Sequence, residues 1–279
     1  MSDNDALNRV DLCFVVDTTG SMGMFIKAAQ RHLLDAMDAL RAGHDIDLRV
    51  GLTEYRDHPP QERSFVTRFH APKPDLQAMQ KAINALKAEG GGDAPEAVFD
   101  GVHAACGEMP WREHSRRFVL LVGDAPPHGA RAHERREEAP EAEPAGGRGR
   151  RSRAADLCPC GLTVHDVTAA AESRNVTVHA LCMVADAATV GAFTAIAGGT
   201  GGACAPAQSA DKIVGTMGAV LEREFSSLPF DRETLRVARG IGEPDTERVA
   251  EALGCPRVQA AASLARLGKR GFLDALSAA

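Results

Sequence analysis

The sequence is short of aromatic residues. They make up 4% of 279 residues, with one Trp and one Tyr, so aliphatic side chains must fill whatever core the 44% hydrophobic content builds. No apolar run approaches the roughly 20 residues of a membrane-spanning helix, so no span is expected. The opening, MSDNDALNRVDLCFVVD, has no basic leader, and Asp11 interrupts its short apolar stretch; it does not read as a secretory signal. The cysteines number seven, an odd count, and several lie inside apolar runs. Free, buried thiols in a reducing compartment are the simpler account, and a cytoplasmic location is expected. Excess charge is also lacking. A formal net charge of -6 favours solubility and gives no support to whole-protein steering toward nucleic acid. Phosphate-loop chemistry is missing too: Gly90-Gly91-Gly92 is not followed by the Lys-Ser/Thr or the GxGxxG pattern that cradles a nucleotide. Ser21 has no His that the sequence places beside it, so no nucleophilic triad is expected.

What is present is alternation. Residues 10–16 form a near-continuous apolar run closed by Asp17, as in a strand buried on both faces. Met22 to Leu40 then repeats apolar residues every three or four positions, which predicts an amphipathic helix ending near Gly43. Asp47 to Tyr55 predicts a second strand, and Ser64 to Phe69 a short edge strand. A helix follows Pro74 and Asp75, with Leu76, Met79, Ile83 and Leu86 as its stripe. After the loop EGGGDAP comes a helix from Pro95 to about Glu108, and then the apolar strand RFVLLV ending at Gly123-Asp124. Asn175 to Met183 predicts a strand; Ala187 to Ala197 and Gln208 to Glu224 predict helices. Strands alternating with helices argue for an α/β fold, a mostly parallel sheet flanked by helices. The strands ending at Asp17 and Asp124 should be central and adjacent, and a ligand should sit at their carboxyl ends.

The loop DTTGSM places Asp17, Thr19 and Ser21 at alternate positions between strand and helix. A tight turn can point all three at one spot. They are oxygen donors, which suit Mg²⁺, Mn²⁺ or Ca²⁺. Asp93 in the glycine-rich loop and Asp124 add carboxylates that would repel one another without a cation. Helix capping by Asp17, Thr19 or Ser21 is the plainer alternative, but it leaves Asp93 and Asp124 unexplained. One divalent ion bound by Asp17, Thr19, Ser21, Asp93 and Asp124 is therefore expected. Asp57, Glu96 and His128 are candidates for its rim. Asp57 could equally pair with Arg56 or Arg117, Glu96 could serve its helix N-terminus, and His128 could be a turn residue.

The motifs DTTGSM, YRD, GGGDAPE and DAPPHG, in this order, resemble the von Willebrand factor type A family with its metal-ion-dependent adhesion site. The resemblance covers residues 8–226. It is strongest to a branch that includes bacterial intracellular members, domains joined to alpha-type kinases, and hemicentin-like proteins. It implies a Rossmann-like fold and a non-catalytic, metal-dependent protein-interaction module with one Mg (or Mn or Ca) ion. Asp17, Thr19 and Ser21 match the family's Asp-x-Ser-x-Ser, with Thr19 in place of the first Ser, and Asp124 matches its late Asp. The family's Thr on the middle loop has no match; Asp93 stands in its place. In the family site neutral hydroxyls leave the ion electron-poor and a partner's carboxylate completes its shell. A carboxylate at residue 93 should tighten cation binding and weaken that pull.

Three further segments stand apart. Residues 129–155 carry many Arg, Glu, Pro and Gly and no large apolar side chain, which predicts a disordered insertion. Cys158-Pro159-Cys160, with His165 nearby, raises zinc, but a Cys-x-Cys pair lacks the usual second pair, and zinc is not expected there. Residues 229–279 predict a small helical module, Asp245 to Leu253 and Val258 to Leu267 followed by GKRGF, similar to the helical part of a winged helix. Arg257, Gln259, Ser263, Arg266, Lys269 and Arg270 would form its basic face. Docking to protein is the favoured expectation for the module and nucleic-acid binding the other. An enzymatic alternative makes Asp17 the nucleophile of a Mg-dependent phosphohydrolase; Thr19 then occupies the place of the general acid and cannot serve as one.

Overall fold

The computed structural model describes residues 6–73, 75–92, 94–130, 158–207 and 210–277. The expected insertion at 129–155 therefore falls, from residue 131 on, outside the described residues, as does Asp93.

Six strands form one sheet in the order β3-β2-β1-β4-β5-β6. They are β1 (Arg9–Asp17), β2 (Asp47–Tyr55), β3 (Thr67–His70), β4 (Arg116–Gly123), β5 (Val176–Cys182) and β6 (Cys204–Pro206). All neighbours are parallel except β3, which runs antiparallel along the edge of β2. The two apolar runs are central and adjacent, with Val16 opposite Val122. The chain leaves β1 toward β2 on one side and later returns to place β4 on the other. That reversal opens a crevice at the carboxyl ends of β1 and β4.

Alternation along β1 fills two layers. Leu12, Phe14 and Val16 face α1 (Gly23–His44), α2 (Leu76–Asn84) and α6 (Ala210–Phe225), while α3 (Val98–Glu108), α4 (Val164–Ser173) and α5 (Ala187–Gly199) cover the opposite face. Cys13 and Val15 face the other way, toward Val102 of α3, Val167 of α4 and Phe193 of α5. Each fully buried aliphatic side chain contributes about 1.5–3 kcal/mol, and aliphatic residues dominate both layers.

Local chemistry sets the helix ends. Asp75 caps α2 by accepting from the Ala78 N–H at 2.6 Å. Asp45, left-handed at φ 49°, closes α1 by donating its N–H to the Arg41 carbonyl. Thr163 and Asp166 form a capping box on α4. The α4 helix was not anticipated, because its apolar stripe is reduced to small residues and Val167. The edge strand starts at Thr67, not Ser64, because Glu62 takes the N–H and hydroxyl of Ser64. The α3 helix begins at Val98, not Pro95, because Glu96 is drawn into a bridge with Pro127 and Ala97 donates to the Arg56 carbonyl.

The C-terminal helices are α7 (Leu228–Ile241), α8 (Thr246–Leu253), α9 (Arg257–Lys269) and the short α10 (Asp274–Ser277). They form a third cluster with Ala6 and Leu7, which precede β1. Buried Arg270 donates to the carbonyls of His114, Ala6 and Leu7 at 2.9, 3.1 and 2.9 Å. Phe272 stacks on His114 with ring centroids 5.0 Å apart. The helices therefore dock at the amino ends of β1 and β4, the end remote from Asp17 and Asp124. No helix among the described residues is long and apolar enough to cross a membrane.

Candidate metal centre

Asp17 ends β1 and is fully buried. Its Oδ1 accepts from the N–H of Thr19 at 2.8 Å and from the Thr19 hydroxyl at 2.6 Å. The Thr19 proton is thus aimed at Asp17, which leaves its lone pairs for another partner. The Ser21 hydroxyl, exposed, lies 3.4 Å from that of Thr19. Asp124 follows β4 directly and is half-buried. Three buried oxygens, Asp17 Oδ2, Asp124 Oδ1 and Asp57 Oδ2, have no hydrogen-bond partner among the described residues. Burial, foremost, pushes the Asp17 carboxyl up to about 7; the charge of Asp124 pushes it further, while the bonds from Thr19 and the charge of Arg56 pull it back. Unpartnered carboxylate oxygens cost desolvation energy unless a cation or a proton satisfies them. The donor set is all oxygen, which fits a hard divalent cation.

The floor is Tyr55, fully buried at the end of β2. Burial drives its hydroxyl well above its ordinary pKa, and the charges of Asp17, Glu96 and Asp124 add to the effect. The rim is held by Arg56. Its guanidinium donates to the Thr18 hydroxyl at 3.3 Å, to Glu62 at 3.3 Å and to the Lys87 carbonyl at 3.2 Å. It thereby ties the Asp17 loop to the segment that leads into the glycine-rich loop, and Gly20 N–H donates to the Gly90 carbonyl beyond it. Gly90 has φ 83°, and a Cβ there would lie 1.9 Å from Glu62 Oε2, so only glycine fits.

The structure brings Asp17, Thr19, Ser21 and Asp124 together. Glu96 is buried with Oε1 beside Gly91, against which Thr19 also packs. Asp57 pairs with neither Arg56 nor Arg117. Its Oδ1 accepts from the His58 N–H at 2.6 Å and from Nε2 of His128, also at 2.6 Å. Asp57 and His128 thus form one rim unit, and His128 is more than a turn residue. Neither Tyr55 nor Arg56 is assigned a role by sequence alone: Tyr55 takes its place from strand alignment, and Arg56 acts through contacts with separate loops. Sequence alone also sets aside Cys158-Pro159-Cys160 in the company of His165; the structure instead places His58 and Asp100 beside that pair.

Residues 11–139 match the von Willebrand factor A domain family. Among curated proteins, the chain is similar to the alpha-protein kinase vwkA of Dictyostelium discoideum, 32% identical over 138 residues, which is 49% of this chain and 22% of that protein. It is similar to an ariadne-like RING finger protein of Acanthamoeba polyphaga mimivirus, 32% identical over 126 residues, 45% of this chain and 12% of that protein. The chain therefore spans less than a quarter of either relative. Among solved structures, proximal thread matrix protein 1 from the mussel byssus, with a zinc-occupied MIDAS motif, superposes with TM-score 0.52 at 13% identity, covering 79% of this chain and 47% of that one. The pilus adhesin SpaC of Lactobacillus rhamnosus GG superposes with TM-score 0.52 at 16% identity, covering 78% and 30%. At such identities the likeness is one of fold.

Proposed function

The chain carries a von Willebrand factor A domain, and from that premise we propose that it is a divalent-metal-dependent protein-interaction module, non-catalytic and cytoplasmic. Asp17, Thr19, Ser21 and Asp124 would hold one Mg²⁺, Mn²⁺ or Ca²⁺ ion, with Asp93 contributing from the glycine-rich loop. The ion would act as a Lewis acid that takes an oxygen donor from a partner protein. The carrying observation is the pair of buried carboxylate oxygens, Asp17 Oδ2 and Asp124 Oδ1, at the ends of adjacent strands and without partners among the described residues. The exposure of Ser21 leaves one side of the site open to a partner. Met24, 74% exposed three residues on, offers an apolar contact beside it. The zinc-occupied MIDAS motif of the mussel protein supports divalent ion binding by a site of this fold.

Two other readings draw less support. A phosphohydrolase would need an acid where Thr19 stands, and Thr19 is engaged with Asp17. A groove-reading face on α9 would need Ser263, Arg266 and Arg270. Ser263 and Arg266 instead hold buried Asp231, and Arg270 faces inward. Affinity capture from cell extract tests the proposal. Wild type should retain a partner in Mg²⁺ and lose it with chelator, and Asp124→Ala should not retain it. Capture indifferent to chelator would contradict the reading. Turnover of a phosphate ester that Asp17→Asn abolishes would replace it with the hydrolase.

A further inference from the structure

Beyond the Asp17 site, three segments distant in sequence converge on one point. His58 comes from the segment after β2, Asp100 from the first turn of α3, and Cys158 and Cys160 from the turn before α4. One ligand atom from each of the four lies within 4.8 Å of the others. His58 Nε2 is 3.1 Å from Asp100 Oδ2; Cys158 Sγ is 3.3 Å from that oxygen and 3.5 Å from that nitrogen. Tetrahedral zinc, with bonds of about 2.0–2.2 Å to N and O and about 2.3 Å to S, sets such pairs about 3.4–3.6 Å apart. Three of the four donors thus already stand close to the spacing of a tetrahedral face. Cys160 Sγ, exposed, reaches the same imidazole from its other side, 4.0 Å from Nδ1. It is the fourth donor, within 4.8 Å of the other three.

We propose that His58, Asp100, Cys158 and Cys160 form a second, structural metal site for Zn²⁺. The donors separate it chemically from the Asp17 site. Two thiolates and an imidazole favour zinc, whereas an all-oxygen site favours Mg²⁺ or Ca²⁺. Binding displaces one proton from each thiol, and the sulfur lone pairs become the two Zn–S bonds, so two thiols and Zn²⁺ yield the bound dithiolate and two protons. The buried positions of His58 and Cys158 exclude water from most of the cluster. Gly161, at φ 75°, turns the chain so that its N–H closes on the Cys158 carbonyl at 2.8 Å, which folds the two cysteines to one side. The site also touches the rim of the first. The His58 N–H donates to Asp57, and the His58 ring packs edge-on to His128 with centroids 5.3 Å apart. A zinc ion here clamps the segment entering α4 to α3 and fixes the Asp57–His128 unit.

The test uses the full chain expressed in zinc-supplemented medium and purified without chelator. Native mass spectrometry and metal analysis should find one zinc per chain that excess Mg²⁺ does not displace. Asp124→Ala should keep it, and the Cys158→Ser/Cys160→Ser double variant should lose it. Replacement by Co²⁺ should give thiolate-to-cobalt charge-transfer absorption in wild type, which reads out sulfur ligation even if the double variant fails to fold. No zinc and no such band in the reduced wild type would overturn the proposal. So would zinc that survives in the double variant but is lost in Asp124→Ala, because the ion would then belong to the Asp17 site.

Discussion

A Cβ on Gly123 would stand 2.2 Å from the hydroxyl oxygen of Tyr55 and 3.2 Å from the ring of Phe193. Gly123 is the last residue of β4, and Asp124 comes next. The tyrosine occupies the space under the site, and the strand reaches it only because residue 123 has no side chain. Gly123→Ala should therefore push the end of β4 outward, lowering stability by about 1–3 kcal/mol, the usual cost of overpacking, and weakening metal binding. Urea unfolding of Gly123→Ala alone and with Tyr55→Phe checks the cause. Removing the hydroxyl should recover at least about 0.5 kcal/mol as a coupling energy; strict additivity would place the strain elsewhere.

The Asp17 carboxyl carries a sign-definite dependence on pH. Its folded value, about 7, lies above its ordinary 3.8. The folded state thus holds the proton more tightly than the unfolded state does. That contribution is fully present below pH about 4 and is lost as pH rises through about 7. In chelator, the Asp17→Asn protein should keep the stability that wild type loses across this window. In Mg²⁺, wild type should gain instead, because the ion binds only the folded, ionised site. Thermal midpoints measured from pH 4 to 8, with Mg²⁺ and with chelator, check both arms.

The docking of the C-terminal helices hangs on Arg270. Truncating it leaves the carbonyls of Ala6, Leu7 and His114 without their donor. Arg270→Ala should cost about 3 kcal/mol, read as a fall in the urea midpoint. Lys269→Ala, on the same helix turn but exposed, should cost almost nothing. Equal effects would mean that Arg270 does not organise the interface.

Asp93 lies outside the described residues, and its expected role is tested in solution. Asp93→Thr should weaken Mg²⁺ binding while keeping the site usable, since a neutral hydroxyl replaces a full charge. Titration calorimetry on the two proteins decides; equal affinities would mean that the carboxylate points away from the ion.

The central strands were legible because burial on both faces leaves an unbroken apolar run, as in VDLCFVV and RFVLLV. The positions of Asp17 and Asp124 followed from where those runs stop. Other features were not legible because they depend on partners distant in sequence. Tyr55 becomes the floor only when β1, β2 and β4 are aligned, and Arg56 acts through Thr18, Glu62 and Lys87 on three separate loops. The α4 helix was hidden because its fully buried face is reduced to Val167 and Ala171. Cys158 and Cys160 read as an incomplete pair, because their neighbours His58 and Asp100 stand 100 and 58 residues away from Cys158 in the chain.

The most direct measurement is calorimetric titration of Mg²⁺ into metal-free protein at neutral pH, comparing wild type with Asp124→Ala. Magnesium avoids the sulfur-containing cluster, so the heat reports the oxygen site alone. One ion per wild-type chain, with binding lost or at least about tenfold weaker in Asp124→Ala, an effect of about 1.4 kcal/mol, is the predicted result. Identical binding in the two proteins, or none in either, would contradict a metal site built on Asp17 and Asp124.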